Sequence, residues 1–366
     1  MLLAMALREQ VANLLFRTGA LTAVMRARGM AKIPLVSIYT YHHIAEHHPD
    51  YQFDPGVADA SPSQFRRQLE TLLRWANPIS LDDLLAALDG KELPANPVMI
   101  TFDDGYASNF HTALPILSAL GVPATFFIAT KFIDERRLFW WETLAWTLKQ
   151  TKRTTLQLPT ISGDTVVDQL AQRTFSTQSP TVLRDLTDLV KNTAHMNIDV
   201  FVQAITKAAD LEWTPTIERQ LANEVLLTWD QLRLMIGKGM AVGSHTHSHR
   251  VLQTVPLDEL HQELAGSKAI LQRELGREIH AIAYPVGRRI HKGHAVRDAL
   301  LQAGYRVGFT NASGVNMIAP PMLRDRFAPA DPFDVRRLAT DRTMSDAMFV
   351  AQMALPKFAY VYAGNL

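Results

Sequence analysis

The sequence predicts an α/β fold built on a mostly parallel sheet or barrel. Two observations carry this prediction. From about residue 35 onward, apolar runs of strand length alternate with amphipathic segments of helix length, the rhythm of parallel strands joined by crossover helices. Chemistry-bearing residues also cluster directly after apolar runs, which is where α/β barrels place their active sites.

The elements follow in order. Residues 33–41 (IPLVSIYTY) read as a buried strand, and residues 61–75 as a helix with Ser61 as cap and Phe65, Leu69 and Leu72 on its apolar face. Residues 96–102 (NPVMITF) form a second strand, and 111–121 a helix stopped by Gly121. A third strand covers 123–130 (PATFFIAT), a fourth 239–245 (GMAVGSH) and a fifth 279–285 (IHAIAYP). Between the last two lies a long helix, 256–276; a helix at 294–304 and a strand at 306–311 follow. Residues 134–228 break the rhythm and read as a largely helical insertion. Residues 2–29 read as one amphipathic helix, with Leu3, Leu7, Val11, Leu14, Leu15 and Leu21 recurring at helical spacing. The domain reading is therefore an N-terminal helix over 1–34 and a catalytic-type domain over 35–366.

Composition narrows the function. Hydrophobic residues make up 47% of the 366 residues and charged ones 20%, the balance of a globular protein with a large core. The net charge is +1, from 37 basic and 36 acidic residues, which argues against a nucleic-acid binder. There is no cysteine, so disulfides, thiolate nucleophiles and Cys-zinc sites are excluded. Residues 1–34 are locally cationic: Arg8, Arg17, Arg26, Arg28 and Lys32 against Glu9. Such a helix either lies on an anionic membrane surface or packs on protein. Arg8 and Glu9 interrupt the opening apolar run, so no cleaved signal is expected. The expected location is cytoplasmic or peripheral to an inner membrane.

Four short constellations carry chemistry. Thr101-Phe102-Asp103-Asp104-Gly105-Tyr106 sets two carboxylates at a strand end, where one can bind a cation and the other act as a base. A plain Asp-Gly turn is the alternative. His245, His247 and His249 alternate after another strand. A helical turn would put His245 and His249 on one face, the spacing of a two-His metal pair; an extended strand would put all three together. Ala283-Tyr284-Pro285-Val286-Gly287 ends a further strand, and Tyr41-His42-His43 ends the first. Trp140, Trp141 and Trp146 pack in the insertion or line a sugar groove. The remaining histidines, from His47 and His48 to His291 and His294, read as surface or structural, and Arg288 and Arg289 as loop charges or anion contacts.

In this order the motifs resemble those of the polysaccharide deacetylase family, the NodB-homology group, and its exopolysaccharide-biosynthesis branch in particular. TFDDGY, HTHSH and AYPVG carry the likeness across roughly residues 35–330. The resemblance implies a distorted (β/α)7 barrel. It implies Asp104, His245 and His249 as ligands of a divalent metal, most simply Zn²⁺, and Asp103 as general base. It further implies the Tyr106 backbone N–H as oxyanion donor and an amino-sugar glycan as substrate. Two family features are missing. Ala283 stands where many members have an arginine, for which Arg324 or Arg326 is the expected replacement. No Leu-x-His motif closes the chain, which leaves His42, then His43, as the expected general acid, with His247 weaker. Lipid- or nucleotide-linked sugars as substrates, a non-catalytic sugar-binding relic and a metallophosphoesterase remain alternatives.

Overall fold

The computed structural model describes residues 2–46, 48–160, 165–171, 173–320 and 330–355. Seven parallel strands close into a barrel: β1 (Leu35–Tyr41), β2 (Pro97–Phe102), β3 (Ala124–Ile128), β4 (Ala241–Ser244), β5 (Ala281–Ala283), β6 (Val307–Ser313) and β7 (Val335–Ala339). Each pairs with its successor in the chain, and β7 returns to β1 through Tyr39↔Leu338 and Thr40↔Ala339. The fold is thus a (β/α)7 barrel. β7 is missing from the sequence reading, because two arginines in VRRLA break the apolar run that marks a buried parallel strand.

Alternation along the strands sorts two layers. Val36, Ile38, Met99, Phe127, Ala281, Val307, Phe309 and Val335 fill the interior. Tyr39, Tyr41, Ile100, Phe102, Phe126 and Leu338 pack outward against the helices. Gly243 stands opposite Phe127, and a Cβ there would lie 2.5 Å from its ring. Continuing the inward register by two residues, or four from Met99 on β2, brings Asp103, His245, Asn311 and Arg337 to one layer at the carboxyl end of the barrel. The functional side chains follow from the same period that builds the core.

The helix Pro62–Leu73 is capped by Ser61, whose side chain accepts from Gln64 N. The segment expected as one helix over 256–276 carries a π-turn at Gln262–Gly266 before Ser267–Leu275. The helix after β2 has a similar π-turn at Asn109–Ala113. Such π-turns often sit at functional sites: Glu263 on the first holds the histidine loop described below, and Asn109 on the second donates to His42 O at 2.8 Å.

Within 134–228 the helices Trp140–Gln150, Val182–Asn192, Ile198–Ala208 and Pro215–Val225 build a core of their own around Leu144, Leu186, Phe201 and Ile205. This region is tied to the loop after β2: Ala107 N donates to Val225 O (2.7 Å) and Leu227 N to Gly105 O (3.0 Å).

The single N-terminal helix expected over 2–29 is corrected. The chain forms two helices, Leu2–Arg17 and Ala20–Met30, broken at Gly19, whose φ of 75° leaves the helical region. They pack on the C-terminal helix Asp346–Ala354. Buried Arg28 anchors the second one by donating to Met353 O and, at 3.1 Å, to Leu35 O. Leu21 and Met25 are buried, but Leu7 and Leu14 of the expected apolar stripe are 61% and 62% exposed. Among the described residues no helix is long and apolar enough to cross a membrane.

Candidate active site

A cavity of about 410 Å³ opens at the carboxyl end of the barrel, lined by His42, Asp103, Asp104, His245, His249, Trp140 and Trp141 among others. Asp104 sits at its floor with a φ of 74°, a costly conformation for a non-glycine residue; Gly105 follows at 103°. The turn is pinned from both sides, by Asp103 N to Tyr41 O (2.9 Å) and Ala129 N to Asp104 O (3.3 Å).

The histidine segment is neither a helical turn nor a strand. It leaves β4 as an irregular loop in which Thr246 (φ 66°) and His249 (φ 56°) are left-handed. Glu263, on the π-turn, holds this loop by accepting from His247 N, Ser248 N and the Ser248 hydroxyl. The result separates the three histidines. His245 and His249 face Asp104, with Nε2 to Oδ1 distances of 3.4 and 3.3 Å. His247 turns the other way and meets Thr130 Oγ1 at 3.0 Å, outside the cavity.

The three facing residues fit a cation by the chemistry of their donor set. One ligand atom from each of Asp104, His245 and His249 lies within 4.8 Å of the other two. His245 Nδ1 is 2.8 Å from Ala283 O. A carbonyl only accepts, so Nδ1 carries the proton and Nε2 offers a lone pair toward Asp104. Burial pushes the His245 pKa down to about 4, which keeps the ring neutral, as a ligand must be. Asp104 Oδ1 is buried and makes no hydrogen bond, and a buried carboxylate oxygen without a partner is costly unless something charged faces it.

Asp103 is set apart from this triad by its partner. Arg337, fully buried on β7, grips it bidentately, Nη1 to Oδ1 and Nη2 to Oδ2 both at 2.7 Å. Nη2 also donates to Asn311 Oδ1 (2.6 Å) and Nε to Thr310 O (3.2 Å). Burial alone would raise the Asp103 pKa; the Arg337 guanidinium, with His245 and His42 behind it, holds it well below the usual carboxylate range. Arg324 and Arg326, the expected sources of this charge, lie outside the described residues; among the described residues Arg337 supplies it. The charge missing at Ala283 comes from the unpredicted strand.

The two neighbouring histidines of the first strand end are told apart by what they touch. His42 lines the cavity, and its Nδ1 lies 3.0 Å from Asp59 Oδ2. Burial opposes a charge there, yet Asp59, with smaller contributions from Asp104 and Asp103, pushes its pKa up to about 9. His43 faces away, toward Ser108 Oγ (2.7 Å) and the Tyr106 ring, and burial with Arg342 pushes it down to about 4. If His42 donates the leaving-group proton, turnover stays high below pH about 9 and falls as pH rises through that value. Asp59→Asn should move this alkaline limb to lower pH; a limb at the same pH in both proteins would remove His42 from the role.

The Tyr106 side chain points away from the cavity, and its hydroxyl donates to Glu142 Oε1 at 2.6 Å. Its backbone N–H donates to no protein acceptor among the described residues. Trp141 Nε1 donates to the same hydroxyl (2.8 Å), and the Trp141 ring packs 4.4 Å from the His249 ring. Glu142 also accepts from Asp54 N (2.8 Å), and burial pushes its pKa up to about 8. FWWE therefore braces the metal-type triad from the insertion side. Trp140 and Trp141 are both buried and wall-forming, so the two sequence readings are compatible for them; Trp146 instead packs on Trp213. Arg289 pairs with Asp334 and Arg288 with Asn192, so neither is a free loop charge. His294 caps the helix it precedes, while His47 lies outside the described residues.

A closed parallel barrel with a donor triad and a gripped carboxylate at the carboxyl ends of its strands is the layout of a barrel enzyme. A family model described as polysaccharide deacetylase matches residues 90–308, more than half of the chain, and the chain belongs to that family. It is accordingly a deacetylase, a hydrolase with a glycan substrate. No curated protein matches the sequence significantly. Among solved structures it is similar to the Streptococcus pyogenes deacetylase PplD in complex with acetate, at 19% identity over 88% of this chain and 99% of that one, with a TM-score of 0.55. It is also similar to IcaB from Ammonifex degensii (17%, 88% and 97%, TM-score 0.51). A third is a de-N-acetylase from Aggregatibacter actinomycetemcomitans (18%, 85% and 97%, TM-score 0.52). At these identities the likeness is one of fold.

Proposed function

We propose that the chain is a divalent-metal-dependent N-deacetylase that removes acetyl groups from N-acetylhexosamine residues of a bacterial polysaccharide and releases acetate. The observation that carries this reading is the pairing of two unlike carboxylates. Asp104 presents an unpartnered buried oxygen to two histidines, while its neighbour Asp103 is held ionised by Arg337. The similar de-N-acetylase supports the choice of an amide as the bond cleaved.

Asp104, His245 and His249 would hold the cation, Zn²⁺ being the simplest occupant for such a donor set. When bound, it supplies Lewis acidity, making water more acidic and an amide carbonyl more electrophilic. Asp103 accepts the proton of the attacking water. The Tyr106 N–H donates to the oxygen that gains charge as the carbonyl becomes tetrahedral. His42, kept protonated by Asp59, passes its proton to the departing amine nitrogen, and acetate is left behind. Trp140 and Trp141 form part of the cavity wall, and the cavity volume is within the usual range of small-molecule sites, about 300–1,000 Å³.

Metal analysis paired with acetate release from N-acetylglucosamine oligomers tests this. We expect about one equivalent of divalent metal in the purified protein, in line with one three-donor site. Activity should be lost with a chelator and restored by Zn²⁺, and His249→Ala should lose both metal and turnover. Full acetate release by metal-free protein would overturn the proposal.

A further inference from the structure

We infer that the first helix, Leu2–Arg17, docks the protein on an anionic lipid surface through an outward apolar stripe. Two independent observations carry this. The first is where the helix is exposed. Ala12 is buried while Leu7 and Leu14, at 61% and 62% exposure, face solvent with half-buried Val11 between them. Leu7 and Leu14 fall within about 20° of each other at about 100° per residue, so they form one ridge. Among the described residues the other exposed leucines, Leu73, Leu234, Leu257 and Leu301, occur singly, whereas Leu7 and Leu14 share one face of one helix. Apolar surface collected in this way marks a binding face.

The second observation is charge. On the same helical wheel Arg8 lies about 100° to one side of Leu7 and Arg17 about 80° to the other. Both are exposed, and neither is in an ion pair among the described residues. Arg26 and Lys32 add exposed cations on the following segment, and Glu9 is the one acid in residues 1–34. An apolar ridge between arginines whose stems can lie along it suits the boundary between anionic headgroups and acyl chains. An aqueous protein partner would have no general need for cations on both flanks. The cavity is built at the opposite end of the strands from Asn96 and Leu35, which bind the second helix through Met25 O and Arg28. Docking therefore need not block the mouth.

Flotation of the full chain with vesicles tests the inference, using 30% phosphatidylglycerol in phosphatidylcholine against phosphatidylcholine alone. Binding is expected to the anionic vesicles, weaker at high salt, and much weaker to the neutral ones. Leu7→Glu/Leu14→Glu should reduce the bound fraction by more than about tenfold, because each leucine contributes its own burial. Arg8→Glu/Arg17→Glu should reduce it about fivefold or more for each charge, with the apolar ridge left intact. Both variants should keep the wild-type melting temperature and acetate release from soluble oligomers, which separates this inference from the reading of the site. Equal binding of wild type and both variants, or no binding to anionic vesicles, would overturn it. So would a wild-type dimer in sedimentation velocity that Leu7→Glu/Leu14→Glu converts to monomer, since a second copy would then cover the ridge.

Discussion

Asp103→Asn is expected to lower kcat for acetate release by about 10²–10⁴-fold, the usual contribution of a positioned base, while leaving bound metal unchanged. Asparagine keeps the shape of the side chain but offers no lone-pair charge to take a proton. The triad of Asp104, His245 and His249 does not include Asp103, whose carboxylate Oδ2 lies 3.8 Å from His245 Nε2. Metal content and turnover should thus separate in this variant and fall together in His249→Ala. A parallel loss of metal in Asp103→Asn would reassign it as a ligand.

The second large effect is on Arg337. Arg337→Met removes the cation from a carboxylate that is 1% exposed, and breaking a buried pair from one side costs about 3–5 kcal/mol. The protein should melt at a lower temperature at neutral pH. The sign with pH follows from the depressed Asp103 pKa. The pair's contribution is full above the unfolded carboxyl value of about 3.9 and fades as pH falls below it toward the folded value. The melting difference between Arg337→Met and wild type should therefore shrink in acid. Adding Asp103→Asn to Arg337→Met should recover much of the lost stability, since no uncompensated charge is left buried. Activity gives a readout that a purely structural role would not move. Without Arg337 the Asp103 pKa rises, so the acid limb of the kcat profile should shift to higher pH. A double variant no more stable than Arg337→Met would sink the account.

Most of the barrel was legible because its strands are continuous apolar runs with polar or Gly-containing ends. The six predicted strands contain β1 to β5 and most of β6, with β6 running two residues further to Ser313. The seventh was hidden by what it does: β7 carries Arg337 into the interior, so its pattern violates the rule that identifies buried strands. The break at Gly19 was equally open to local reading, since glycine is where a helix most easily turns left-handed; the leucine spacing across it outweighed that signal.

Local chemistry in the sequence determined the donor set. Asp103-Asp104 and His245-x-x-x-His249 sit on short segments, and short segments keep their residues together whatever the rest of the chain does. Tertiary structure alone decided how those residues are used. Arg337 reaches Asp103 from 234 residues along the chain, and only barrel closure between β7 and β1 brings them into one layer. His42 and His43 are neighbours with opposite fates, because Asp59 meets one in the cavity and Ser108 meets the other behind it. Periodicity along a strand can say that a residue faces inward. What it faces there depends on which strands close the ring, and that is a property of long-range packing.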